Sequence, residues 1–150
     1  MSVITVNITL LLALLFSPLQ EDGILLTDVE EVTIGCLNLD KLDMHYVFNS
    51  AAEFTRAMSE FRSPNLNCGK TQIAAIDFSK RTLVGVKLES GSCMTFNHSS
   101  SFHLEGQKKI ICQVRFDDGN CFVLRQKILW WSIPKTAKED VSFDVRPYEN

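Results

Sequence analysis

Ile110, Cys112, Val114 and Phe116 alternate with Gln113 and Arg115, a period of two that puts one set on a buried face and the other on the opposite face of a strand. That pattern is the clearest of a series that runs from Gln72 to the end of the chain and most constrains the fold. Ile73 to Ile76 is short and apolar, and Asp77-Phe78-Ser79-Lys80 reads as a tight turn. Thr82 to Val86 is apolar without interruption, as in a strand covered on both faces. Glu89-Ser90-Gly91-Ser92 reads as a hairpin loop into Cys93-Met94-Thr95-Phe96. Asn97 to Ser101 reads as a polar loop, with alternation resuming at Phe102 and Leu104 and turning at Gly106-Gln107-Lys108. Asp117-Asp118-Gly119-Asn120 has hairpin-turn chemistry, because Gly and Asn tolerate positive φ. Cys121 to Ile133 predicts a long strand that Pro134 ends, and Val141 to Val145 a last one.

Before these strands there is one helix signal. In Asn49-Ser50-Ala51-Ala52-Glu53, Ser50 is placed to accept from the amide three residues on while Glu53 reaches back, a capping box. Phe54, Ala57, Met58 and Phe61 then share a face suited to packing on a sheet. Ser63 before Pro64 ends the helix. Upstream, Val32, Ile34 and Cys36 share one register and Leu37 and Leu39 the other, predicting a first strand with a bulge. One helix and about seven short strands, without crossover helices, predict an α+β, mainly β fold. Its antiparallel sheet would curl into a sandwich or partial barrel, with the helix over one opening.

None of the first twenty residues carries a charged side chain, and Leu10 to Phe16 is an unbroken apolar run closed by Pro18. That is the form of a secretory signal peptide over residues 1–20, with a retained membrane anchor as the alternative. Residues 21–45 form an N-terminal strand region, continuous with a single β-rich domain over 46–150. Five cysteines, Cys36, Cys68, Cys93, Cys112 and Cys121, suit an oxidising compartment; two bridges and one free thiol is the simplest arrangement, and the pairing stays open. The expected location is secreted or periplasmic.

Several patterns suggest chemistry. Gly69-Lys70-Thr71 has the end of a phosphate loop but Pro64 where its first glycine belongs. His98 adjoins Ser99, Ser100 and Ser101, yet no glycine elbow positions a serine. Asp117 and Asp118 fit a turn as well as a carboxylate pair. No cysteine or histidine pair has metal-ligand spacing, and a net charge of −3 does not suit nucleic acid, so no metal, cofactor or nucleic-acid partner is expected. Trp130 and Trp131, as consecutive strand residues, face opposite sides of a sheet. An exposed ring of the two would be a natural anchor for a protein partner.

The run Ile76-Asp77-Phe78-Ser79-Lys80-Arg81-Thr82-Leu83-Val84-Gly85-Val86, together with Trp130-Trp131-Ser132-Ile133-Pro134-Lys135, resembles small exported bacterial proteins of the PrcB-like group, particularly their Bacteroidetes relatives. The resemblance spans about residues 46 to 146. It implies a β-rich accessory domain, the namesake being a lipoprotein that stabilises a surface protease complex, and it favours a Cys93 to Cys121 bridge. The chain departs from the group in lacking the lipoprotein cysteine and in carrying Ser90-Gly91-Ser92-Cys93 where a Gly-Gly-Tyr segment is common. The function expected is a non-enzymatic interaction or accessory module of the bacterial cell envelope, its partner a protein there, with a protease among the candidates. It would work through a sheet face or edge strand, and its only membrane contact would be an uncleaved N-terminal segment. One alternative is a hydrolase or protease inhibitor acting on peptide or glycan, for which His98, His103, Asp117 and Asp118 must converge. Another is a purely structural secreted protein.

Overall fold

A computed structural model describes residues 23–35, 37–62, 75–91, 97–117 and 122–148. These residues form two four-stranded sheets packed face to face with one α-helix on the outside, a mainly β fold of the α+β class. The first sheet has the order β1 (Ile24–Leu25), β5 (His98–Glu105), β6 (Lys109–Phe116), β8 (Val141–Pro147). The second has the order β2 (Glu30–Glu31), β7 (Arg125–Pro134), β4 (Arg81–Ser90), β3 (His45–Phe48). The sheets do not close into a barrel. No helix among the described residues is long and apolar enough to cross a membrane.

The period of two explains the two cores. Val84, Val86 and Leu88 of β4, Leu129, Trp131 and Ile133 of β7, and the alternating residues of β6 fill the space between the sheets. The intervening Leu83 and Trp130 face outward, where Tyr46, Phe48, Phe54 and Met58 cover them. The unbroken apolarity of β4 thus reflects burial on both sides. Helix α1 (Ala51–Phe61) starts at the expected capping box: Ser50 Oγ accepts from Glu53 N at 3.2 Å, and Glu53 Oε2 accepts from Asn49 N at 3.2 Å. The helix lies on the outer face of the second sheet rather than over an opening, because its apolar stripe meets Leu83 and Trp130 there.

The structure departs from the sequence expectations elsewhere too, the strand expected from Cys121 beginning only at Arg125. In place of the strand expected from Val32 to Leu39 there are only the two-residue strands Ile24–Leu25 and Glu30–Glu31; beyond Val32, whose amide donates to Trp130 O, the chain lifts over the outer face of the second sheet, burying Ile34. His45–Phe48 is an additional strand. The polar stretch from His98 to Ser101 is strand, paired on one side with β6. Finally, β6 and β7 lie in different sheets, as do β4 and β5, so the chain changes sheet after Ser90 and again after Phe116. Turn chemistry specifies a reversal and leaves open which sheet receives the next strand. As β7 ends where β6 begins, β8 must run parallel to β6, with Ile110 opposite Val141. The only turn joining paired neighbours among the described residues is Gly106-Gln107-Lys108, where Gly106 adopts φ 62°.

Candidate functional site

Neither tryptophan offers an exposed ring. Trp130 is 2% exposed under the helix layer and Trp131 4% exposed between the sheets. Alternation sends the rings to opposite faces, and both faces of the second sheet are covered.

The two histidines of the candidate catalytic set do not converge. His98 and His103 differ by an odd number of positions on β5 and so take opposite faces. The Asp117 carboxylate accepts from the backbone and side-chain amides of Asn97 at 3.2 and 3.0 Å. Asp118 lies outside the described residues. His103 Nε2 and Ser101 Oγ are 3.0 Å apart on the uncovered outer face of the first sheet, but the ladder to β6 occupies the amides of residues 101 and 103. No three His, Cys, Asp or Glu among the described residues group to hold a metal.

Cys112 is a free thiol sealed between the sheets, where burial pushes its pKa up to about 12. The other four cysteines, including the Cys93 and Cys121 pair that the resemblance favours, lie outside the described residues, as do residues 1–20, read in the sequence as a signal segment, and Gly69-Lys70-Thr71.

What the fold does assemble is a cleft on one flank of the sandwich. The N-terminal segment straps this flank. Its β1 pairs with β5 at Leu104 and His103, and Leu26 N donates to Phe102 O at 2.8 Å. The chain then crosses to the second sheet, where Glu30 and Glu31 pair with Ser132 and Trp131. Arg81 fixes the crossing, binding Asp28 Oδ1 at 2.6 Å and Ser132 O at 2.6 Å. Leu26 and Val29 close the core beneath it.

The strap pairs only part of each edge. The positions of its hydrogen bonds show that even-numbered residues of β5 and β7 direct their backbone groups outward on this flank. His98 and Ser100 on β5, and Gln126 and Ile128 on β7, have no outward backbone partner among the described residues. Between the two edges lies a cleft of about 570 Å³, lined by Leu25, Val29, Glu31, Ser100, Phe102 and Trp131 among others. Thus Trp131, although almost wholly buried, forms part of the cleft wall.

Further along the two edges, beyond the residues that line the cleft, the flank is polar. Lys127 Nζ reaches His98 Nδ1 at 3.3 Å, bridging the two sheets. Burial lowers the His98 pKa below its usual 6.5, the Lys127 charge pushes it further down, and Glu31 opposes both. His98 is therefore neutral at pH 7 and accepts from the ammonium. Beyond this contact Phe122, Val123 and Leu124 stand exposed just before β7. Comparison with protein-family models, curated proteins and solved structures returns no match to the chain.

The sequence reading expected a sheet face or edge strand without saying which, because an unpaired edge depends on where the other strands pair. Two indications were present. His98 to Ser101 lack the apolar partners of a fully enclosed strand, and the long β7 segment opens with Arg125 and Lys127 before turning apolar at Ile128.

Proposed function

We propose that the protein is an exported, non-enzymatic interaction module of the bacterial cell envelope, and that it receives an extended segment of a partner protein in the flank cleft. One observation carries the reading: two unpaired strand edges face each other across an apolar-walled groove. Unpaired strand edges invite further pairing, and natural sheets usually shield them. A peptide that adds a strand gains main-chain hydrogen bonds, while alternate side chains enter the groove. The charge-free, apolar N-terminal sequence and the resemblance to exported accessory proteins support the envelope as the setting. The opposite faces taken by His98 and His103 support a binding role over hydrolysis.

A photo-crosslinking amino acid placed at Ser100 tests this in cells. The expected result is a discrete protein adduct in the envelope fraction that a crosslinker at Glu60, on the exposed side of the helix, does not form. The same pattern from both positions, or no adduct from either, overturns the proposal.

A further inference from the structure

The charges around the cleft specify what kind of segment it takes. Arg125 and Lys127 lie along the unpaired part of β7, and neither forms an ion pair among the described residues. Lys127 has only the neutral ring of His98 as a polar partner there. At the strap end the charge reverses, because Glu31 lines the cleft beside Trp131. Along this flank Glu31 and the Phe102 and Trp131 wall therefore belong to the cleft, and Lys127 and Arg125 follow beyond it on the unpaired part of the β7 edge.

Backbone direction converts this polarity into a sequence order. The contact between His98 and Lys127 at one level, and between Phe102 and Trp131 at another, shows that β5 and β7 ascend together. A strand added antiparallel to either edge consequently runs from the strap end toward Lys127, the direction β1 and β2 already take. Resting on the reading of the cleft as a strand-accepting site, we infer that its occupant is an extended protein segment with alternate apolar residues and with carboxylates in its C-terminal half. The carboxylates lie beside Lys127 and Arg125, apolar side chains contact the Phe102 and Trp131 wall, and the N-terminal half near Glu31 carries no acid. A segment with the opposite order of charge would place acid against Glu31 and leave both cations unpaired.

Three capped heptapeptides test this on the purified chain: Val-Thr-Val-Thr-Glu-Thr-Glu, whose valines and glutamates share one face as Trp131, Lys127 and Arg125 do, its reversed sequence, and the version with lysine for glutamate. Binding is measured by titration, with hydrogen-exchange protection of the Ser100 and Ile128 amides locating the peptide. The first peptide is expected to bind about tenfold more tightly than the other two, the scale of two partly exposed charge pairs, and to protect at least one of these amides. Lys127→Glu, an exposed substitution, should invert the preference between the glutamate and lysine peptides; Arg125→Glu should weaken it. Equal affinity for the three peptides, or an unchanged preference in Lys127→Glu, overturns the charge assignment. No peptide binding together with a specific adduct at Ser100 overturns this inference while leaving the interaction module standing. Concentration-dependent dimerisation abolished by Ile128→Pro would show a second copy as the occupant and overturn it as well.

Discussion

Gly85 is the position where a single added methyl group should most disturb the fold. A Cβ there would meet Cζ3, Cε3 and Cη2 of Trp130, the farthest of the three at 2.8 Å, whereas carbon atoms in favourable contact sit about 3.5–4.0 Å apart. The ring has little room to yield. It is 2% exposed and lies against Tyr46 and Phe48, with centroids at 5.6 and 6.0 Å. Overpacking of this kind costs about 1–3 kcal/mol. Replacing glycine by alanine also restricts the unfolded chain, which returns about 0.4–1 kcal/mol where the native backbone is compatible. Gly85 is not a positive-φ glycine, so that return applies. The net expectation for Gly85→Ala is a loss of about 1–2 kcal/mol, read as a lower urea midpoint at unchanged slope. Trp130→Leu in the same background isolates the cause. If the clash is responsible, the second substitution costs less there than in the parent chain by about the same amount, a coupling that a double-mutant cycle resolves. Strict additivity, or a Gly85→Ala protein as stable as the parent, would refute the close packing of Trp130 on β4.

Other parts of the structure make further predictions. Iodoacetamide should leave Cys112 unmodified in the folded protein and alkylate it in urea, since its thiol is both sealed and held protonated; peptide mapping by mass spectrometry reads this directly. Acidification should destabilise the protein. His45 and His98 both have pKa values lowered chiefly by burial, so the unfolded chain takes up protons first, and stability falls as pH drops below about 6.5 toward the lower folded values. In paired His45→Gln and His98→Gln variants, thermal melts between pH 7.5 and 5 should show a smaller loss than the parent. Thr82→Val should cost about 1–3 kcal/mol in urea titrations, because the hydroxyl lies 2.6 Å from Asn49 Oδ1 and accepts from Thr136 N at 3.0 Å in a site closed to solvent.

The elements that were legible in the sequence are those in which local pattern and tertiary environment agree. Ile110 to Phe116 alternates because one face lines the core and the other faces solvent, and the Ser50 and Glu53 cap needs only neighbouring residues to form. The turn at Asp77 is likewise local, its carboxylate accepting from the backbone and hydroxyl of Ser79 at 3.1 and 2.6 Å. Sheet membership was not legible. Whether the chain after Ser90 or Phe116 pairs beside the strand it leaves or crosses to the opposite sheet is settled by the packing of the two layers. The strap was invisible for a related reason: β1 and β2 each comprise two residues, too few to show a period, and become strands only because β5 and β7 offer an edge.

The same physics explains why the cleft was hard to find and why it is specific. Side-chain motifs can be counted in a sequence, but an unpaired backbone edge exists only after the other strands have taken their places. Here it arises because the strap leaves β5 at Phe102 and contacts β7 only as far as Trp130. Longer pairing on either side would have sealed the flank; no pairing would have exposed Phe102, Trp131 and the core behind them. Arg125 and Lys127, which look like ordinary surface charges in the sequence, acquire direction only from the edge beside which they stand. Strand direction turns their position into a preferred order of charge, and that order separates the proposed partner segment from any merely adhesive strand.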